Sequence, residues 1–123
     1  MAIYLGLMSG TSIDGVDAAL VQFDDSGNGN HRLGLTLPGL RLLGLRLLGH
    51  LHQPMPGALR DELAALNRDA GHNELHRAAL AGNGVAELYA GTALSLLAQS
   101  GLDTRQVRAI GAHGQTVRHR PGE

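Results

Sequence analysis

Two periodicities divide the chain. Over residues 1–52 the apolar positions form short runs or alternate with polar ones, as strands require. Beyond Pro54-Met55-Pro56 they recur every three or four residues, as helices require. Ala2–Met8 is an apolar run of strand length, residues 9–15 (SGTSIDG) are a turn-rich break, and 16–23 are a second β-prone run. Together they read as a hairpin with a Gly- and hydroxyl-rich connection. Residues 24–30 (DDSGNGN) carry a strong turn signal. Leu33, Leu35 and Leu37 then alternate, as do Leu43, Leu45 and Leu47 beyond Pro38-Gly39. A three-stranded meander over 1–52 is the simplest account.

In the second regime Leu59, Leu63 and Leu66 fall on one helical face, with Pro56 suited to the helix start. A longer stripe through Leu75, Ala78, Gly82, Val85, Tyr89, Thr92 and Leu96 predicts a helix over 74–100. Each interior Gly costs about 1 kcal/mol against Ala, so Gly82-Asn83-Gly84 predicts a kink or break. Gly101 suits the C′ position, and Asp103-x-x-Gln106 resembles a capping box on one short turn. Val107–Ala112 is a final strand that delivers His113-Gly114-Gln115-Thr116 at its C-terminal end. The predicted order is βββααβ, an α/β unit. It stops just past its most polar cluster, which leads us to expect an incomplete unit.

At 123 residues and 12.9 kDa the chain is one domain, too small for two lobes with a cleft between them. A net charge of -1 gives no electrostatic reason to expect nucleic acid or an anionic membrane as partner. Without Cys there are no disulfides, thiolate nucleophiles or Cys-ligated metals. All ten basic residues are Arg, which excludes a Schiff-base lysine and the lysine-dependent phosphate loop. Tyr4, Phe23 and Tyr89 are too few for stacking platforms. No export signal is visible, and the cytoplasm is the expected location.

Two clusters can carry chemistry. In residues 9–17 (SGTSIDGVD) two Gly residues allow a tight turn whose N–H groups converge on an anion. Thr11 and Ser12 add hydroxyls, and the carboxylates can hold a cation that neutralises phosphate. The same residues also suit an ordinary hairpin loop. Asp14 and Asp17 form a carboxylate pair at a spacing that identifies no general base. The second cluster, residues 113–121 (HGQTVRHRP), offers imidazole, amide, hydroxyl and guanidinium groups at a strand end, where open α/β folds place ligands. Gln and Thr suit neutral hydroxyls, and Arg suits a carboxylate or phosphate. A metal held by His113 and His119 lacks a third ligand at recognisable spacing. His50 and His52 share a strand face, while His31, His72 and His76 show no partner pattern; surface or capping roles suit all five. Arg60-Asp61-Glu62 and Arg77 look like solvated helix faces, and no Ser-His-Asp order is legible.

The two clusters in this order, GLMSGTSIDGVD at 6–17 and AIGAHGQTVRHRP at 109–121, resemble the anhydro-N-acetylmuramic acid kinases. The intervening PMPGALRDEL and NELHRAAL are similar to that family as well. The resemblance implies the first, ribonuclease H-like lobe of the actin/hexokinase/Hsp70-like ATPases, here incomplete: a three-stranded meander, two helices and a further strand. It implies a reaction in which ATP, Mg2+ and water convert 1,6-anhydro-N-acetylmuramic acid into N-acetylmuramic acid 6-phosphate in peptidoglycan recycling. It assigns Gly10, Thr11, Ser12, Ile13, Asp14, Gly15, Val16 and Asp17 to the first phosphate-binding loop, with Asp14 reaching Mg2+ through water. His113, Gly114, Gln115 and Thr116 fall in the sugar cleft, with Arg118 and His119 beside it. Ala112 is a mild departure, where many relatives carry a small sulfur or hydroxyl residue.

Length is the larger departure, because the match is to the family's first third. The family's catalytic aspartate, in a D-T-G-P-G-like segment, has no counterpart here, so the chain holds no catalytic residue. The expectation is therefore the N-terminal part of a first kinase lobe over 1–123, inactive in isolation and exposing apolar surface. The whole enzyme would be a homodimer candidate with the amino sugar and ATP as its small-molecule partners. The competing readings are another sugar or acyl kinase of the same superfamily, and a short non-catalytic module that binds nucleotide or muramyl ligands.

Overall fold

The computed structural model describes residues 2–23, 44–68 and 71–123. Strand alternation decides which face is covered. In β1 (Ala2–Met8) Leu5 and Leu7 are buried and Gly6 and Met8 are exposed. In β2 (Gly15–Phe23) Val16, Ala18 and Leu20 are buried on the same side, Leu20 opposite Leu5 and Ala18 opposite Leu7. β3 (Leu45–Pro54) pairs antiparallel with β2, and β4 (Val107–Ala112) pairs parallel with β1. The sheet order is β3-β2-β1-β4. This is a mixed α/β fold, and its four strands and two helices agree with part of an actin-like ATPase first lobe. The expected order βββααβ holds. The turn at 24–30, His31, and the alternation through Leu33, Leu35, Leu37 and Leu43 lie outside the described residues.

Helices α1 (Gly57–Leu66) and α2 (Glu74–Gln99) form a layer on the Leu5 side of the sheet. Their apolar stripes, Leu63 and Leu66 on α1 and Val85, Tyr89, Ala93, Leu96 and Leu97 on α2, complete the core. At Gly49 the fit is close: a Cβ there would lie 2.7 Å from Ser100 Oγ and 3.0 Å from Leu96 Cδ1. α2 ends in a left-handed Gly101 with φ +65°, and Leu102 N–H donates to the Leu97 carbonyl at 3.0 Å. That pair of features is a Schellman cap. The expected capping box is also present on the 3-10 turn Thr104–Gln106, where Arg105 N–H donates to Asp103 and Asp103 N–H to Gln106.

Three expectations change. α2 runs unbroken through Gly82-Asn83-Gly84. Gly82 and Asn83 face solvent, whereas Gly84 lets Leu59 of α1 approach to within 3.2 Å of where a Cβ would sit. Burial of Ala81 and Val85 on either side outweighs a local propensity cost of about 2 kcal/mol. The buried stripe also starts later than predicted, since Leu75 is 90% exposed and Gly82 is outside it. Finally, Glu62 and Arg77 are half-buried partners rather than solvated faces. Arg77 donates to both carboxylate oxygens at 2.6 and 3.0 Å and ties α2 to α1.

The opposite sheet face carries Tyr4 and Phe23, whose rings meet edge to face at 5.3 Å. On β4, Ile110 shares the side of its partner Leu5 but is 57% exposed, because α2 packs mainly on β2 and β3. Among the described residues no helix is long and apolar enough to cross a membrane. The two α2 glycines differ in a testable way. Gly82→Ala should stabilise the fold by about 0.5–1 kcal/mol in urea denaturation. Gly84→Ala should gain less or lose, since its methyl meets Leu59. Equal gains at both positions would contradict the α1–α2 contact.

Candidate functional site

Parallel pairing brings the C-terminal ends of β1 and β4 to one edge of the sheet, where open α/β folds bind ligands. One further ladder bond, His113 N–H to the Leu7 carbonyl at 2.9 Å, carries the pairing just past β4. The loop leaving β1 and the loop leaving β4 therefore touch, although Ser9 and Gly114 are 105 residues apart.

In the first loop the tight turn sits at Ile13 and not at a glycine. Ile13 has φ +54°, and its N–H donates to the Gly10 carbonyl at 3.2 Å. A β-branched residue in that conformation is strained, and here its side chain is buried in the core. Gly10 and Gly15 are absent from the left-handed region, so the expectation that their conformational freedom makes the turn is corrected. Gly15 serves close approach instead. A Cβ there would collide with the Gln53 carbonyl and lie 2.7 Å from His52 Cε1. Val16 turns into the core, while Asp14 and Asp17 are exposed. The Ser12 hydroxyl donates to Asp14 Oδ1 at 3.0 Å and holds that carboxyl below the usual carboxylate range, helped by backbone N–H groups and the nearby His52. The Asp14 carbonyl accepts from Met55 N–H at 2.9 Å, which fastens the loop to the exit of β3.

The second loop turns at Gly114, with φ +82°, and again at Arg118, with φ +56°. Gln115 reaches across to the first loop: its Nε2 donates to the Gly10 carbonyl at 3.1 Å, and its Oε1 lies 2.7 Å from Ser9 Oγ. Arg118 faces the end of α1. Its backbone N–H donates to Asn67 Oδ1 at 2.8 Å, its side chain donates to the Leu66 and Arg68 carbonyls, and its guanidinium pairs with Glu74. Its guanidinium is thus engaged with protein, while the residue still lines a concavity between the loops.

Among the described residues, two concavities carry residues of both loops. One of about 460 Å3 is lined by Thr11, Asn67, Thr116, Arg118, His119 and Arg120, and so brings both loops and the α1 terminus together. The other, about 380 Å3, lies on the sheet face away from the helices, with Gly6, Ala19 and Gly111 beneath Met8, Asp17, His50 and His113. Of the candidate residues, Thr11, Thr116, Arg118 and His119 line the first and Asp17 and His113 the second, while Gly10, Ser12, Ile13, Asp14, Gly15, Val16, Gly114 and Gln115 line neither. Asp17 Oδ1 lies 3.0 Å from His52 Nδ1 and 3.5 Å from His50 Nε2, so the strand pair of histidines has a carboxylate partner. Among the described residues no group of three His, Cys, Asp or Glu is arranged to hold a metal ion. Asn67 was missed by sequence reasoning because nothing at a helix end signals a contact with a loop 51 residues away. Tyr89, read as core, also bonds Ser9 through its hydroxyl at 3.1 Å.

A family model described as anhydro-N-acetylmuramic acid kinase matches residues 2–123. The chain is 52% identical over 121 residues to an anhydro-N-acetylmuramic acid kinase of Variovorax paradoxus, covering 98% of this chain and 28% of the relative. Identity to the proteins of the same name from Ralstonia nicotianae and Bordetella pertussis is 51% and 53%, covering 98% and 97% of this chain and 27% of each relative. The chain thus spans little more than a quarter of the length of the curated relatives it matches.

Two substitutions test the first loop. Ser12→Ala should raise the Asp14 pKa toward its ordinary value in an NMR titration, since the largest cause of the lowering is removed. In the native chain the stabilisation linked to that lowered pKa is full above the ordinary carboxylate value and is lost as pH falls through the folded value. An unchanged Asp14 titration would show that the Ser12 contact is not formed. Gly15→Ala should lower the melting temperature by several degrees, because its methyl meets backbone that cannot yield.

Proposed function

This chain belongs to the anhydro-N-acetylmuramic acid kinase family, and from that premise we propose that it supplies the phosphate loop and part of the sugar site of such a kinase. The reaction is conversion of 1,6-anhydro-N-acetylmuramic acid, with ATP and water, into N-acetylmuramic acid 6-phosphate, a step of peptidoglycan recycling in the cytoplasm. The observation that carries the reading is the polar concavity shared by Thr11 from one loop and Thr116 and His119 from the other.

Phosphoryl transfer asks mainly for positioning and charge stabilisation, which suits a site without lysine. Of the loop Gly10, Thr11, Ser12, Ile13, Asp14, Gly15, Val16 and Asp17, the exposed Thr11, Ser12 and Asp14 would face the phosphates. The Thr11 hydroxyl would be the donor, since the single Ser12 hydrogen goes to Asp14, and Ile13 and Val16 would hold the loop to the core. Mg2+ bound with ATP would neutralise phosphate charge. The residues fit it: Asp14 is exposed and favours its ionised form, and a lone carboxylate suits an ion that keeps several waters. On the sugar side Thr116 and His119 would meet hydroxyls, joined by Asn67 and Arg120 from the cavity wall. Gly114 and Gln115 would adjoin the cleft in sequence, and His113 would act from the neighbouring concavity on the other sheet face. Neither Asp14, bonded by Ser12, nor Asp17, beside two histidines, is assigned as the catalytic base. That role falls to a residue outside 1–123.

The test is a kinase assay on the whole protein encoded by the gene that carries this chain. Incubation with ATP, Mg2+ and the anhydro sugar should yield the 6-phosphate by mass spectrometry. Preferential phosphorylation of plain N-acetylmuramic acid or glucose would overturn the substrate assignment. Gly10→Val and His113→Ala should each lower kcat/KM roughly a hundredfold, and an unchanged value would remove that residue from the site. The 123-residue chain alone should show no turnover; turnover there would place the base within it.

A further inference from the structure

Hydrogen-bond directions in the contact between the two loops can be deduced one from another. Gln115 Nε2 lies 3.1 Å from the Gly10 carbonyl and 3.2 Å from the Thr116 carbonyl. Carbonyls only accept, so both amide hydrogens are spent on them, and this fixes which end of the amide is oxygen. Oε1 must then accept from Ser9 at 2.7 Å. The single Ser9 hydrogen is thereby used, so Ser9 Oγ accepts from the Tyr89 hydroxyl at 3.1 Å. Ser9 is 1% and Tyr89 7% exposed, and among the described residues no buried side-chain polar atom lacks a partner. The Gly114 carbonyl, 3.5 Å from Ser9 Oγ, is too far to compete with Gln115 Oε1 at 2.7 Å, so the relay runs one way. Removing a member leaves a buried neighbour short of a partner.

From this we infer that Tyr89, Ser9 and Gln115 are positioning residues: a strut from α2 that sets the spacing of the phosphate loop and the sugar loop, so that both ligands depend on the same hydrogen bonds. Gln115 acts through the first loop, its amide hydrogens being committed to protein. The inference rests on the kinase reading above and adds Tyr89 and Ser9 to the residues the reaction needs. The geometry extends it to the cavity, since Thr11 and Thr116, two residues past Ser9 and one past Gln115, line the same concavity. A shift of one loop against the other would spoil the site for both ligands.

The experiment is a double-mutant cycle in the whole protein, reading KM for ATP and for the anhydro sugar separately. Ser9→Ala should raise both constants roughly tenfold, as should Gln115→Leu, and the double variant should be no worse than the worse single one. If Ser9→Ala moves only the ATP constant, Gln115→Leu only the sugar constant, and the effects multiply, the strut is wrong. Tyr89→Phe keeps the buried ring and removes only the hydroxyl, so it carries the test if Ser9→Ala fails to fold. It too should raise both constants. Should the protein phosphorylate no anhydro sugar, the kinase reading fails while the strut is still tested by amide hydrogen exchange. Tyr89→Phe should then speed exchange at residues 9–11 and 114–116 together. Faster exchange in one loop alone would overturn the strut.

Discussion

The parallel register between β1 and β4 is the constraint on which the site depends. A parallel pair needs a long crossover, and here α1 and α2 supply it while covering one face of the sheet. Because β1 also pairs antiparallel with β2, the hairpin loop and the loop after β4 leave the same edge. The concavity that holds most of the polar loop residues takes Thr11 from one loop and Thr116 and His119 from the other. The 460 Å3 concavity exists because the register sets Thr11 beside Thr116. If β4 slipped by one residue, its side chains would change faces and the bond from His113 to Leu7 would be lost.

Within each motif scaffolding residues and outward-facing residues are interleaved. Ile13 and Val16 anchor the first loop in the core, and Gly15 leaves room for β3. In the second loop Arg118 closes over the end of α1 and Gln115 reaches the opposite loop. Thr11, Ser12, Asp14, Thr116 and His119 remain to face outward. A motif of this kind directs folding as well as presenting polar groups, which explains why loop composition alone suits an ordinary hairpin and does not single out a phosphate site.

Much of the fold was legible because its boundaries are chemically abrupt. β1 ends where an apolar run meets Ser-Gly-Thr, and α2 ends at a glycine that adopts the conformation a Schellman cap requires. The unbroken course of α2 was not legible, because packing of Ala81, Val85 and Leu59 overrides local propensity. At the candidate site, the family resemblance names both loops, but side-chain direction escaped it. Alternation predicts faces inside strands and says nothing beyond their ends, so the parting of His113 from Thr116 had no sequence signal. Tyr89 fits the core pattern by its ring and gives no hint of what its hydroxyl does.

The separation of 105 residues between Ser9 and Gly114 has a temporal side. Translation at about 5–20 residues per second puts roughly 5 to 20 s between the emergence of the two loops from the ribosome. β2 can zip onto β1 early, being its sequence neighbour, yet the other edge of β1 waits for β4. An unpaired edge bearing Leu5 and Leu7 is a template for intermolecular pairing during that interval. The concavity between the two loops thus waits for β4 in the newborn chain, and its completion coincides with the pairing of that edge of β1.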